Sequence, residues 1–238
     1  MDTTAVRVLW AYQRGDPRTH ARSLLRHAAA ALVSAPAADV LIGRSPHGAP
    51  VLSGAADGLR GSISHTSGLV AVAVATPGTA PVGVGVDVEA VRALDAVAFA
   101  DRWFARDESR WVRSLPPELR VLGVLSLWTR KEAAGKALGV GLAAGGQRRD
   151  MGVPGPPPAL PAPSTRLLPL ATAPQVAVGV LPAPPGFVLA AAYATVAGGV
   201  APAVAVRLTG PAPRSGPAAG PPLLALPSEG ILLDEHHR

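Results

Sequence analysis

A β-strand is predicted at Val82-Gly83-Val84-Gly85-Val86-Asp87-Val88-Glu89. Side chains alternate along a β-strand, so its valines share one apolar face that we expect to pack on a core. The opposite face is bare at two glycines and then carries Asp87 and Glu89, about 7 Å apart along the strand. Bare glycine allows something large to approach the backbone. The stretch therefore predicts a strand with one core face and one approachable, acidic face.

The two carboxylates of this strand have two interpretations. Like charges on one face repel unless a cation lies between them, and all-oxygen ligation favours Mg²⁺ over Zn²⁺. A solvated strand end, where acidic residues are common, explains the motif slightly better when the motif is taken alone. The choice therefore depends on the rest of the chain.

A second motif, Trp128-Thr129-Arg130-Lys131-Glu132-Ala133-Ala134-Gly135-Lys136, lies in a predicted helix. Trp128, Glu132 and Lys136 are four residues apart and therefore share a face. An ordinary exposed Glu–Lys pair is worth only ~0.3–0.5 kcal/mol, but the tryptophan indicates that this face is covered. A covered carboxylate and ammonium suit a metal-bound polyphosphate, with Glu132 on the metal and Lys136 on the phosphate oxygens.

Both lysines of the chain fall in this second motif. Lys131 and Lys136 are the only lysines among 22 basic residues. GC-rich codon usage explains the many arginines, but a mobile ammonium is not interchangeable with a planar guanidinium. We therefore expect this segment to need lysine itself. Gly135, which costs about 1 kcal/mol relative to Ala inside a helix, indicates either a point of close approach or drift.

A third motif, Ser62-Ile63-Ser64-His65-Thr66, precedes an Ala/Val run that predicts a buried strand. Serine hydroxyls and an imidazole can bind phosphate. Ser64 and His65 point in opposite directions on an extended chain, which disfavours a Ser–His nucleophile pair. A structural turn is the simplest interpretation of this motif taken alone.

Composition narrows the class of protein. The chain has 238 residues, 48% of them apolar and 4% aromatic, and no Cys, which excludes disulfides, thiolate catalysis and Cys-ligated zinc. The net charge of +6 fits acidic proteins or phosphorylated ligands. Nucleic acid is disfavoured because basic runs, zinc-finger spacing and stacking aromatics are missing. Without a signal peptide or a membrane-length apolar stretch, we expect a cytoplasmic protein without membrane partners.

Periodicity and turn residues outline the remaining elements. We expect strands at Val6–Tyr12, Gly61–His65, Leu69–Ala75, Val176–Leu181, Phe187–Thr195 and Val204–Leu208. We expect helices at His20–Ala31, Leu94–Phe104, Asp107–Leu115 and from Pro116 to about Leu138, and loops at Gly43–Pro50 and Gly152–Pro163. From Gly210 onward the Pro/Gly-rich composition predicts a largely disordered tail.

Together, the Asp87-Val88-Glu89 strand, the Trp128–Lys136 helix and the upstream Ser64-His65 resemble the 4′-phosphopantetheinyl transferase superfamily. The resemblance is to its larger two-lobed, surfactin-synthetase-activating class. It implies an α+β fold of two similar α/β lobes related by pseudo-twofold symmetry, with the cofactor in the cleft. The corresponding division is an N-terminal lobe at 1–82, a metal-carrying C-terminal lobe at 83–209 and a tail at 210–238.

The resemblance also implies an activity. The enzyme would transfer 4′-phosphopantetheine from coenzyme A to a serine of an apo acyl or peptidyl carrier protein and release 3′,5′-ADP. It would act as a monomer, in fatty acid, polyketide or non-ribosomal peptide synthesis. The implied Mg²⁺ ligands are Asp87, Glu89 and Glu132; the implied catalytic residues are Glu132 and Lys136; the implied coenzyme A contacts are Arg22, Ser64, His65, Lys131 and Lys136.

One departure from the family pattern keeps alternatives open. Ala49 stands where the family has a lysine, and Arg44 or His47 are candidates to replace it. One alternative is therefore a catalytically weak homologue that binds coenzyme A or a carrier protein without turnover. Another is an Mg²⁺-dependent phosphatase or nucleotidyl hydrolase, although the chain lacks a nucleophilic Asp-x-Asp motif and a P-loop.

Overall fold

The computed structural model of the chain describes residues 6–76, 82–141, 148–155, 160, 162–195 and 199–211. Over these ranges the chain is an α+β structure with one large sheet, a two-stranded hairpin and four α-helices. Within them, no helix is both long and apolar enough to span a bilayer. The helices are α1 (Pro17–Val33), α2 (Ala96–Trp103), α3 (Arg106–Ser114) and α4 (Pro117–Ala137).

The described strands form two sheets. They are β1 (Val6–Tyr12), β2 (Val40–Arg44), β3 (Pro50–Gly54), β4 (Arg60–Thr66), β5 (Leu69–Ala75), β6 (Val82–Ala90), β7 (Arg166–Pro169), β8 (Val176–Leu181), β9 (Phe187–Thr195) and β10 (Val204–Thr209). Eight strands share one sheet in the order β4-β5-β1-β10-β7-β8-β9-β6, while β2 and β3 form the hairpin. In the large sheet, β1 and β10 run parallel and the other described neighbours are antiparallel.

The two ends of the large sheet meet. Strands β4 and β6 end the strand order, yet side chains of β4 reach the backbone of β6. The Ser62 hydroxyl accepts the Val86 N–H at 3.1 Å, and the Ser64 hydroxyl accepts the Val88 N–H at 3.4 Å. The sheet is therefore nearly closed, and these contacts bring the third sequence motif to the first.

Strand β6 is covered on both faces. Val84, Val86 and Val88 are buried in a core shared with residues of β1, β5 and β9, as the alternation predicts. The opposite face lies under α4, whose Ala133 and Ala137 belong to a second core with residues of β8 and β9. Small residues at this contact allow the helix to lie close to the sheet.

Helix α1 holds the hairpin against the sheet. The Asp16 carboxylate caps it by accepting the Thr19 N–H at 2.7 Å, and Pro17 occupies the first turn. Because of this cap the helix begins before the predicted start at His20, and it continues to Val33. Its buried side chains share a core with residues of β3 and β5.

Most of the predicted elements are present, with further differences at β2, β3 and β7. The sequence does not predict strand β2, and the predicted loop Gly43–Pro50 is shorter because its ends belong to β2 and β3. Strand β7, Arg166–Pro169, was not predicted, since four residues beside a Pro-rich stretch are too few to show a period.

The sheet joins both parts of the predicted division. Val6 of β1 pairs with Val206 of β10, so one sheet crosses the predicted boundary between 1–82 and 83–209. The pseudo-twofold relation of two lobes stays a prediction. The predicted disordered tail, 210–238, lies outside the described residues from 212 onward.

Candidate functional site

Helix α4 lies directly on the glycine face of β6. A Cβ atom on Gly83 would come within 1.8 Å of the Ala137 carbonyl oxygen, and one on Gly85 would come within 1.8 Å of that of Ala133. Real Cβ atoms essentially never make contacts under 3.0 Å. The element that approaches the bare face is therefore α4, and it carries its charged face onto the acidic end of β6.

Asp87 is at the centre of the cluster that results. Its Oδ1 accepts hydrogen bonds from Lys136 Nζ and from the Ser64 hydroxyl, both at 2.8 Å. Lys136 Nζ also donates to the Val86 carbonyl at 3.1 Å. The Oδ2 atom of Asp87 is buried and has no hydrogen-bond partner among the described residues. An unpartnered buried oxygen is costly, so this atom is available to a water molecule or a ligand.

Glu89 and Glu132 are the two acids next to Asp87. Burial, and after it the charge of Asp87, raises the pKa of each carboxyl group to about 7. The Trp128 indole N–H donates to Glu89 Oε1 at 3.2 Å, which ties that carboxyl group to α4. The three acids thus concentrate more negative charge than one lysine balances.

Lys136 remains an ammonium in these surroundings. Burial alone would lower its pKa, but the charges of Asp87, Glu132 and Glu89 raise it above the usual value. The side chain is 20% exposed, compared with 6% for Asp87. Lys136 therefore offers a permanent positive charge that solvent, and so a ligand, can reach.

The acidic cluster fits a hard divalent cation in its chemistry, although it is not assembled around one. Among the described residues, no three His, Asp or Glu side chains are placed so that they could hold a metal ion. Oxygen atoms such as those of the three carboxylates, including the unpartnered Asp87 Oδ2, are nevertheless the ligands that Mg²⁺ prefers. Such an ion would also relieve the repulsion among Asp87, Glu89 and Glu132.

A small recess lies beside Glu89, between β6, α2 and α4. Phe99 and Trp128 meet there edge to face, with ring centroids 5.4 Å apart. Its surface is mainly apolar, with two charged residues; the lining residues are Glu89, Arg92, Leu94, Phe99, Val124, Leu125 and Trp128. The recess provides an apolar surface directly next to one of the acids.

The predicted coenzyme A contacts Ser64 and His65 lie on opposite faces of β4. Ser64 points to Asp87. His65 lies on the side of the α1 N-terminus, near the exposed carboxylate of Asp16. Hydrogen bonding by Thr19, and more weakly the charge of His65, lowers the pKa of Asp16. The structure therefore brings only Ser64 into the acidic cluster.

Arg22, the third predicted contact in the N-terminal part, has a backbone partner. Its guanidinium donates to the Ile42 carbonyl, which ties α1 to strand β2. Ala49 and its candidate replacements, Arg44 and His47, are exposed on the hairpin. Replacement of the family lysine by Arg44 or His47 stays a prediction.

Lys131 does not face the acidic cluster. Its ammonium is fully buried, lies 2.7 Å from Glu108 Oε2 and also donates to the Arg149 carbonyl. Burial lowers the pKa of Lys131, and the Glu108 charge opposes this. Contact between Lys131 and coenzyme A stays a prediction. Neighbouring helix residues point about 100° apart, which is why Lys131 faces α3 while Glu132 faces β6.

The Glu108–Lys131 pair was not found from the sequence. Glu108 Oε1 accepts the Met151 N–H at 2.9 Å, and Oε2 accepts the Ala105 N–H at 2.9 Å. A signal was present, because Glu108 stands at helical spacing with apolar residues that are buried beside it; these are Trp111, Val112 and Leu115. An acid in an apolar stripe indicates a buried partner, and Lys131 is that partner.

Comparisons with known proteins give a match for the part of the chain that contains α4 and most of β6. A comparison with curated proteins finds no match. A family model described as the 4'-phosphopantetheinyl transferase superfamily matches residues 83–176, a range that includes Asp87, Glu89, Glu132 and Lys136. Residues 83–176, which are 94 of the 238 residues of the chain, are therefore similar to the 4′-phosphopantetheinyl transferase superfamily.

Proposed function

We propose that this protein is a holo-[acyl-carrier-protein] synthase. It transfers 4′-phosphopantetheine from coenzyme A to a serine of an apo acyl or peptidyl carrier protein, with release of 3′,5′-ADP. The observation that carries the proposal is the convergence of Asp87, Glu89, Glu132 and Lys136 where α4 lies on β6. All four residues fall in the range that matches the superfamily.

Mg²⁺ is the proposed ion of this site. The residues that would hold it are Asp87, Glu89 and Glu132, and the unpartnered Asp87 Oδ2 supports this assignment. Bound Mg²⁺ supplies positive charge that polarises a phosphoryl oxygen and neutralises the pyrophosphate.

Glu132 is the proposed general base. It accepts the proton of the carrier serine, whose oxygen forms a bond to the phosphorus that bears the pantetheine arm. The bond between this phosphorus and the bridging anhydride oxygen breaks, and the electron pair leaves on that oxygen as part of 3′,5′-ADP. Lys136 is the proposed group that stabilises the charge developing on the leaving oxygens, and its protonated, partly exposed ammonium supports this role.

The proposed partners carry charge opposite to that of the protein. Coenzyme A has several negative charges, carrier proteins are generally acidic, and this chain has a net charge of +6. Complementary charge increases the rate of encounter.

Arg22 and His65 are proposed contacts of the 3′-phosphoadenosine end of coenzyme A. We further propose that the protein is a cytoplasmic monomer and that it serves fatty acid, polyketide or non-ribosomal peptide synthesis.

A second candidate is a homologue that binds coenzyme A or a carrier protein without turnover. Two observations favour it: Ala49 replaces the family lysine, and no group of three acids among the described residues is arranged to hold a metal. Tight coenzyme A binding by calorimetry, with no modified carrier protein under the same conditions, would decide for this candidate.

The first experiment replaces the proposed base by an uncharged residue of the same shape. Glu132→Gln should reduce single-turnover transfer to an apo carrier protein by about 10²–10⁴-fold, the usual contribution of a general base. Glu118→Gln is the matched control, because Glu118 is an exposed acid in the first turn of the same helix, and it should transfer at the wild-type rate. Full activity of Glu132→Gln would overturn the assigned role.

A further inference from the structure

On its edge away from β9, strand β6 pairs with no strand among the described residues, and two serines of β4 accept its N–H groups there. Ser62 and Ser64 are two positions apart, so both hydroxyls lie on one face of β4. They accept the N–H groups of Val86 and Val88 and are 4% and 7% exposed. The two serines therefore have matched surroundings as acceptors from β6.

Only Ser64 makes a further bond. Its hydroxyl donates to Asp87 Oδ1 at 2.8 Å, and the structure gives no such contact between Ser62 and Asp87. A serine hydroxyl has one hydrogen to donate. While Ser64 holds Asp87, it has no hydrogen left for a phosphate oxygen, and its burial keeps a large anion away.

The bond from Ser64 sets the orientation of the Asp87 carboxylate. Oδ1 receives both the Ser64 hydroxyl and the Lys136 ammonium, whereas Oδ2 receives no hydrogen bond from the described residues. Two donors on one oxygen fix the plane of the carboxylate and leave the second oxygen available. Hydrogen-bond partners of metal-binding carboxylates commonly act in this way.

We propose that Ser64 is a positioning residue that acts through Asp87, holding its Oδ1 so that Oδ2 is available to a divalent cation, and that it is not a contact of coenzyme A. This inference rests on the proposed Mg²⁺ site and replaces the role that the family resemblance implied for Ser64. Ser62, which lacks the bond to Asp87, supplies the internal control.

The test measures metal binding without coenzyme A. Mn²⁺ prefers the same oxygen ligands as Mg²⁺, and free Mn²⁺ is measured by electron paramagnetic resonance. Ser64→Ala should weaken Mn²⁺ binding by about 10–100-fold, the usual effect of removing such a partner, and Ser62→Ala should leave it unchanged. Ser64→Thr, which keeps the hydroxyl, should restore binding. If Ser64→Ala fails to fold, Ser64→Cys fills the same space with a weak donor and takes its place.

A second readout separates positioning from phosphate binding. For Ser64→Ala, transfer from coenzyme A and from 3′-dephospho-coenzyme A should fall by the same factor, because the 3′-phosphate is not involved. A higher KM for coenzyme A alone, with wild-type Mn²⁺ affinity, would overturn the positioning role and leave the transferase proposal standing. If the wild-type protein transfers nothing to any carrier but Ser64→Ala still weakens Mn²⁺ binding, the positioning role is supported and the transferase proposal fails. Wild-type protein that binds no Mn²⁺ would overturn the inference.

Discussion

At the scale of single residues, the two lysines of the chain have different surroundings on the same helix. Lys136 lies beside Asp87 and is partly exposed, whereas Lys131 is fully buried beside Glu108. One lysine is therefore available to a ligand and the other is part of the protein interior. Replacing each by Met should separate their roles, because Met keeps the apolar stem and removes the charge.

Lys136→Met should affect transfer. Loss of one donor to developing charge usually costs about 10²–10³-fold in kcat, and we expect a loss of this size in single-turnover transfer. Lys136→Arg should restore little, because a planar guanidinium does not fit the place of a compact ammonium. Transfer by Lys136→Met at the wild-type rate would remove Lys136 from the reaction.

Lys131→Met should affect stability. The substitution leaves Glu108 buried without its cation, and breaking a buried pair from one side costs about 3–5 kcal/mol. Urea unfolding measures this loss as a lower free energy of unfolding. Adding Glu108→Gln to Lys131→Met should recover part of it, since the buried charge is then gone. If the Lys131→Met protein were as stable as wild type, the Glu108–Lys131 pair would not stabilise the fold.

At the scale of elements, the contact between β6 and α4 creates the site. Gly85→Ala would place a Cβ atom 1.8 Å from a backbone oxygen of α4, and backbone cannot move aside as a flexible side chain can. We expect a loss of about 3 kcal/mol or more, the upper end for overpacking, together with lost transfer. Thermal and urea unfolding give the size of the effect.

Gly155→Ala is the control for this substitution. Among the described residues, nothing lies within 4 Å of a Cβ atom at Gly155, so the stability of the Gly155→Ala protein should be close to that of wild type. If Gly85→Ala were equally stable and active, α4 would not lie against β6 as described.

The elements of the site are the part that the sequence predicts best. Alternation places Asp87 and Glu89 on the glycine face of β6, and the spacing of four places Glu132 and Lys136 on one face of α4. Each of these two patterns repeats within a single strand or helix, so the sequence of that one segment is enough to predict it. Lys131 could not be placed in this way, because its partner Glu108 is distant in sequence and only packing of α3 against α4 brings them together.

At the scale of the whole molecule, strand β10 joins β1, near the N-terminus, to β7, which follows α4 in the chain. It runs parallel to β1 and pairs with β7 on its other edge. This pairing between distant segments leaves no local pattern, so the sequence did not indicate that one sheet crosses the predicted lobe boundary. The nearly closed sheet, which brings Ser64 to Asp87, depends on such pairings.

Truncation tests the role of β10. A chain that ends after Ala203 loses the strand between β1 and β7, and its urea midpoint should fall well below that of the full chain. A chain that ends after Pro211 keeps β10 and should unfold close to the full chain. Equal stability of the two truncated chains would contradict the described pairing.

The central claim is the reaction itself, and mass spectrometry of carrier proteins tests it most directly. The protein is incubated with coenzyme A, Mg²⁺ and a panel of apo carrier proteins from fatty acid, polyketide and non-ribosomal peptide synthesis. We predict that at least one carrier gains the mass of a phosphopantetheine group on its serine, that 3′,5′-ADP is released in equal amount, and that chelation of Mg²⁺ stops both. Folded protein that modifies no carrier in the panel would contradict the claim.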